Sequence, residues 1–296
     1  MHSVHFDGSF SGWRSAARRL LLAGVEPHAL LWESGEPRLT QDLFHGDDSV
    51  PDRPDRATLA VPRQLLGLLE MAARYHGDNR WGLLYRILWR VSRGERSAML
   101  AGDVDGSQLH KRIKAVSREL HHMHAFLRFR ELSPSVASAA FIAWHEPAHD
   151  ILELAVDHFT RRMGSTSWLI VTPSKAASWV GSRVQIIQPC PAALAELARA
   201  TSSDDELWLA YYRSTFNPAR LNRECLERSL PVRFWKNLPE GQAIPALISA
   251  ARTGEQANGQ FSGVASMPGR TIATREAVRP NKESPASGSG APDLLR

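Results

Sequence analysis

Trp144-His145-Glu146-Pro147-Ala148-His149-Asp150-Ile151 spells H-E-x-x-H, the zinc metalloprotease signature. In a zinc protease the two histidines sit at i and i+4 of one continuous helix, and the glutamate between them activates the metal-bound water. Here Pro147 stands inside the signature. Proline lacks an N–H and clashes with the preceding turn, so it belongs in the first turn of a helix. It also pushes Glu146 toward extended geometry. The run from Ala139 to Trp144 is apolar and reads as a strand. His145 and Glu146 therefore close a strand and His149 opens a helix, without the geometry that zinc requires. No third-ligand spacing such as H-x-x-G-x-x-H follows. The stretch is a strand-to-helix corner. A helix N-terminus there offers free N–H groups and positive dipole to an anion. The plainer alternative is a tight turn whose polar groups only cap.

Outward from the corner, the helix extends from Pro147 to Met163, and Thr166 to Thr172 and Gln185 to Gln188 read as strands. At the start, Ser3 to Phe6 reads as a strand, Asp7-Gly8 as a turn and Phe10 to Ala23 as a helix, with a short strand at His28 to Glu33. Pro62 opens a helix through Tyr75, with Leu65, Leu68, Leu69 and Ala72 on one face, and Trp81 to Ser92 is another. Ser107 to Phe126 is the longest. Ser203-x-x-Glu206 resembles a capping box that opens a helix through Phe216, and helices at Leu221 to Arg228 and Ile244 to Ala251 follow. The expected class is α+β: one helix-rich domain over residues 1–252 with a small sheet. Residues 253–296 turn to Gly, Ser, Pro and charges and read as a disordered tail. Phe44 to Arg56 is a comparable breaker cluster.

Two cysteines, Cys190 and Cys225, are too few for a disulfide framework or for the four thiolates of an iron–sulfur cluster. No run approaches the length of a membrane span, and Met1 to Arg19 has no apolar h-region, so a cytoplasmic protein without membrane contact is expected. The chain carries +5 over 296 residues, a balance that favours an acidic partner.

That charge is concentrated. Residues 80–130 hold eleven Lys/Arg against four Asp/Glu, a net +7. On the long helix, Ile113, Val116, Leu120, Met123 and Leu127 form a core-facing stripe. Lys111, Lys114, Arg118 and His121 or His122 fall on another face. The helix runs into F-L-R-F-R, where Phe126 and Phe129 interleave with Arg128 and Arg130. Cations that track phosphate and aromatics that stack a base are the two parts of a single-strand surface. The same letters also fit a solvated helix face whose phenylalanines are core. His121, His122 and His124 lack the flanking Cys or Asp of a metal site, so no metal or other cofactor is expected, and a histidine near phosphate is the preferred functional use. The segments Leu207 to Asn222 and Phe234 to Pro239 are dense in Tyr, Trp, Arg and Asn. They fit base or phosphate contacts, and equally a core with Asn217 as a turn former.

Several of these runs together resemble one bacterial family. They are W-G-L-L-Y-R-I-L-W-R, K-A-V-S-R-E-L-H-H-M-H-A-F-L-R-F-R, W-H-E-P-A-H-D-I, S-W-L-I-V-T-P, F-N-P-A-R-L-N and F-W-K-N-L-P-E, preceded by F-D-G-S-F-S-G-W. The family is a domain of unknown function described as a DNA metabolism or DNA repair protein. It occurs beside a radical SAM protein or fused ahead of a UdgX-type uracil-DNA glycosylase. The resemblance covers nearly all of residues 1–250. Positions that match it are Asp7; Tyr85, Arg86 and Arg90; His121, Arg128 and Arg130; Pro147 and His149; Arg162; Asn217, Arg220 and Asn222; and Lys236 and Asn237. His145 is not among the family's features. After the T-P strand the family continues with a W-D-G hairpin, whereas this chain has S-W-V-G-S-R-V, which puts that hairpin in doubt. The tail carries no glycosylase motif.

The resemblance and the basic run together imply a DNA-binding module. It would present single-stranded or damaged DNA to a partner, a radical SAM protein or a uracil-DNA glycosylase-like protein. The residues assigned to that surface are Arg86 and Arg90; Lys111, Lys114, Arg118 and His122; Arg128 and Arg130; Arg162; Tyr212, Asn217, Arg220 and Asn222; and Lys236 and Asn237. An alternative is a DNA-processing enzyme that uses His121, His149 and an acid, Asp7 or Glu146, as acid and base. A weaker one is a protein-interaction scaffold.

Overall fold

Two parallel strand pairs, each bridged by a helix, anchor the chain. The computed structural model describes residues 2–35, 60–133, 138–200 and 203–253. The expected tail and the Phe44 to Arg56 cluster lie outside the described residues, apart from Thr253, which ends a helix. In the first pair, β1 (His2–Phe6) and β2 (Leu30–Ser34) run parallel, with α1 (Phe10–Leu22) between them. Ser9 caps α1, its hydroxyl accepting from the Gly12 N–H at 2.9 Å. Trp13, Ala16, Ala17 and Leu20 then recur at helical spacing and are buried. Gly12 lets the Asp7 carboxylate lie over the first turn of α1; a Cβ there would sit 2.1 Å from it and move that side chain.

α2 (Arg63–Ala73), α3 (Arg80–Ser92) and α4 (Val104–Phe126) complete this half. Their core joins Trp13, Leu20, Leu65, Leu69, Trp81, Leu84 and Leu109. Tyr85 is also buried there, and its hydroxyl donates to the Val25 carbonyl at 2.7 Å. α4 starts three residues earlier than its apolar stripe indicates, because Asp103 caps it through the Asp105 and Gly106 N–H groups.

A carboxylate cluster fastens α3 to that cap. Arg86 forks onto Asp105 at 2.6 and 2.9 Å, and Arg90 reaches Asp103 at 2.7 Å, Asp105 at 3.0 Å and Glu95 at 2.9 Å. Arg86 and Arg90 were expected on a nucleic-acid surface. Here both are ion-paired fasteners between α3 and the α4 cap, with side chains 39% and 25% exposed. Asp105→Asn is expected to cost about 2 kcal/mol, less than the ~3–5 kcal/mol of a fully buried pair because both arginines keep surface in water. Urea unfolding measures it. Arg90 holds the Asp103 carboxyl below the usual carboxylate range, and Arg86 does so for Asp105. Their folded pKa values are depressed, so the stabilisation is present at neutral pH and is lost as pH falls below about 4.

The second half is a five-stranded sheet in chain order: β3 (Phe129–Glu131), β4 (Phe141–Trp144), β5 (Trp168–Val171), β6 (Ala176–Val180) and β7 (Arg183–Ile187). β4 and β5 are parallel and bridged by α5 (Leu152–Met163); the other neighbours are antiparallel. Every residue of β5 is buried, since both sheet faces are covered. Trp168 and Ile170 face Met123, Val156 and Phe159, while Leu169 and Val171 face α6 (Ala192–Arg199). The hairpin in doubt is formed without its Asp. Gly181 and Ser182 turn it with φ of 57° and 74°, the left-handed pair that a tight two-residue hairpin demands.

α7 (Ser203–Thr215), α8 (Arg223–Ser229) and α9 (Ile244–Thr253) close the described chain, with 3-10 turns at Val232–Asn237 and Pro239–Gln242. Leu230, Phe234, Leu238, Ile244 and Ile248 form their core. Tyr212 packs against that core, and burial pushes its phenol up, so it is a packing residue more than a base reader. The fold is α+β and helix-rich, with the strands divided into sheets of two and five. No helix among the described residues is long and apolar enough to cross a membrane.

Candidate nucleic-acid interface

The corner that spells H-E-P-A-H is built by neighbours distant in sequence. The His145 N–H still pairs with the Val171 carbonyl at 3.0 Å, so the strand geometry runs past Trp144. The next free N–H groups find acceptors outside a helix: Ala148 donates to Glu119 at 2.8 Å and Asp150 to the Arg74 carbonyl at 3.0 Å. Helix α5 therefore begins at Leu152, five residues after Pro147, and His149 does not open it. The anion at this corner is the protein's own Glu119, which is buried and also accepts from Arg233. Glu119 thus takes the Ala148 N–H, one of the corner groups expected to face a phosphate.

The two histidines have different surroundings. His145 is buried against Phe234, rings 5.4 Å apart and nearly parallel. Burial pushes its pKa down to about 4, and its Nε2 has no partner among the described residues. The His149 ring packs on Tyr75 at 4.4 Å, and its Nδ1 accepts from the His76 N–H at 3.3 Å. The i,i+4 helix geometry of a zinc protease is absent from this segment. Among the described residues, no group of three or more His, Cys, Asp or Glu could hold a metal ion.

Along α4 the expected cation face forms. At about 100° per residue, Lys111, Lys114, Arg118 and His121 fall within a sector of about 80° and along about 15 Å of helix. All four are exposed, and among the described residues the three cations have no ion-pair partner. His122 departs from this face. It is buried between Phe126 and Phe234, because the turn Val232–Asn237 covers that edge of the helix. At the helix end Arg128 donates to the Ala125 carbonyl at 3.2 Å, which places it on the same face.

Arg128 is also where the row meets a cavity of about 310 Å3. Four expected residues line it together: Arg128 and Arg130 from the chain leaving α4, and Lys236 and Asn237 from the last 3-10 turns. Trp144 from the end of β4 and Arg199 from the end of α6 join them. Two carboxylates, one buried and one partly exposed, hold two of these cations. Glu240, 2% exposed, accepts from Arg128 and from the Trp208 indole, both at 2.7 Å. Glu146 accepts from Lys236 and, at 3.2 Å, from the Trp144 indole. Burial alone would raise the Glu146 carboxyl, but Lys236 and the Trp144 N–H outweigh it and hold the group below its ordinary range. Arg130 donates to the carbonyls of Leu197 and Ala198 at the C-terminus of α6, a favourable end for a cation.

The model of a family described as a domain of unknown function, DUF4130, matches residues 78–240. The chain belongs to this family. The DUF4130 span holds the whole cation row and every cavity residue named above. It leaves out the β1–α1–β2 unit, so it is shorter than the resemblance over residues 1–250. No curated protein and no solved structure matches the chain.

The remaining expected residues are dispersed over the DUF4130 span and its N-terminal unit. Arg162 stands exposed near the end of α5, and Arg220 is exposed in a 3-10 turn. Asn217 caps that turn through the Ala219 N–H, and Asn222 caps α8 through the Cys225 N–H at 2.9 Å. These are capping roles. The acid/base candidates do not converge. Asp7 lines a separate cleft of about 730 Å3 with Arg14, Arg74, His76, Arg80, Asp150, Glu153 and Lys175. Its carboxylate accepts from the Ser9 hydroxyl and N–H, which hold it below the ordinary range. His149 touches that cleft only through His76, and His121 is not among its lining residues. Sequence reasoning missed Arg199, Trp144, Arg233 and the carboxylates Glu119 and Glu240.

Proposed function

We propose that this DUF4130 protein binds single-stranded or damaged DNA and serves a partner enzyme in the cytoplasm. The partner is a radical SAM protein or a uracil-DNA glycosylase-like protein. The observation that carries the DNA half is the row Lys111, Lys114 and Arg118, exposed, without carboxylate partners among the described residues, and leading to Arg128 at the rim of a cavity with an aromatic wall. Such a row tracks phosphates, and exposed rings favour strands whose bases are unstacked. Trp208 and Tyr211 are exposed beside it, with Arg128 over the Trp208 ring at 5.2 Å. The partner half rests on the motif resemblance alone. Binding of a labelled oligothymidylate at low and high salt tests the first half. Co-purification of a radical SAM protein or a glycosylase with the tagged chain tests the second; retention of the partner without DNA binding favours a scaffold.

A second reading, a DNA-processing enzyme, draws on the Asp7 cleft. That cleft is lined by residues just beyond the carboxyl ends of both parallel pairs, Asp7 and Gly35 on one side and Ser174 on the other, where α/β folds hold ligands. Incubation with a panel of damaged DNAs, with and without the partner, decides it; absence of product in both sets counts against catalysis.

A further inference from the structure

The cavity at the end of the cation row differs from the row in one respect. One of its exposed cations is a flat one without a carboxylate ion-pair partner among the described residues. The Arg199 guanidinium lies over the Trp144 ring at 4.0 Å, so the indole backs it and fixes its plane. Arg199 is exposed and, among the described residues, has no carboxylate partner, whereas Arg128 and Lys236 are held by Glu240 and Glu146. A guanidinium fixed in this way is a stacking plate that also carries charge. Asn237 lines the same cavity; its amide N–H is taken by Glu146, which leaves the amide oxygen as an acceptor. The volume, about 310 Å3, is at the small end of ligand pockets and suits one planar ring system, not a folded segment.

From these features we infer that the cavity receives one unstacked base of a bound strand. The base lies on the Arg199–Trp144 plate, its edge meets Asn237, and its phosphate meets Lys236. This rests on the DNA reading, since the row from Lys111 to Arg128 delivers the strand to the cavity. It adds a site for the base itself, which backbone tracking does not need.

The test uses the full chain and two labelled probes, a short oligothymidylate and a strand of equal length whose sugars carry no bases. Both have the same phosphates, so the row holds both alike. The wild-type protein is expected to bind the thymidylate strand about tenfold more tightly, the scale of stacking one base. Arg199→Lys keeps the charge and removes the plate. It is expected to reduce the preference several-fold, the remainder resting on the exposed Trp208 and Tyr211 rings, while leaving the affinity for the base-free strand unchanged. Lys114→Ala lowers both affinities equally. Equal wild-type affinity for the two strands, or a preference that Arg199→Lys leaves undiminished, overturns the base site and leaves the DNA reading standing. Failure to bind either strand at low salt overturns the DNA reading itself.

Discussion

Replacing His145 with Phe flattens the acid limb of the stability curve. His145 is 4% exposed and stacked on Phe234, and burial pushes its pKa down to about 4. In the unfolded chain the group titrates near the ordinary value of about 6.5. Between these values the unfolded state binds a proton that the folded state refuses. The stability associated with neutral His145 is therefore intact above about pH 6.5 and drains away as pH falls toward 4. A gap of this size is worth about 3 kcal/mol over the window, and about 2 kcal/mol of it is lost by pH 5. His76, His122 and His149 are also pushed down, chiefly by burial, and add smaller effects of the same sign. Phe fits the existing ring stack and satisfies no less than a histidine whose Nε2 has no partner among the described residues. Urea unfolding at pH 7 and pH 5 is the measurement. The wild-type protein should lose about 2 kcal/mol more than His145→Phe between the two conditions. Equal losses would show that His145 is not the neutral buried group described here.

The triple change Lys111→Ala, Lys114→Ala and Arg118→Ala has the largest expected effect on binding. All three side chains are exposed, and alanine is the best helix former, so the variant should fold as the parent does. Each lost phosphate contact returns one set of condensed counterions. For a single strand the slope of log K against log salt should become shallower by about 2, with a loss of affinity on the order of a hundredfold at low salt. Arg86 and Arg90 are poor choices for this experiment despite their position in the same basic segment. Their removal would free Asp103 and Asp105 and loosen α3 from α4, so a binding defect would report misfolding.

These contrasts show what a linear sequence carries. Regular patterns were legible: the stripe of Val116, Met123 and Leu127 follows from spacing, the helix after Pro62 from spacing and the proline, and the buried strand Trp168–Val171 from its aromatic and β-branched residues. Pro147 correctly separates strand from helix, but the delay of the helix to Leu152 depends on Glu119 and Arg74, which take the intervening N–H groups. Helix α6 escaped notice because its eight residues make barely two turns and its fully buried positions are small alanines. Strand β3 has three residues, and β6 opens on Ala176-Ala177-Ser178, small side chains with weak strand preference.

Charge is the harder case. A segment count of +7 treats every cation as free, yet Arg86 and Arg90 are spent on carboxylates across a helix pair. The Arg128–Glu240 and Glu119–Arg233 pairs join residues 112 and 114 apart, distances at which no local rule operates. His122 lies near the edge of the cation face by helical geometry, and only the turn around Phe234 buries it. The cations left without an ion-pair partner among the described residues are a smaller set than the composition indicates: Lys111, Lys114 and Arg118 on the helix, and Arg199 at the cavity, where Arg128 and Lys236 are already paired.

Titration of the wild-type chain with oligothymidylate across a range of salt concentrations tests the DNA reading most directly. Three or more phosphate contacts predict binding at low salt that weakens with a slope of about −2 or steeper. Affinity that does not change with salt, or no binding at low salt, would contradict it.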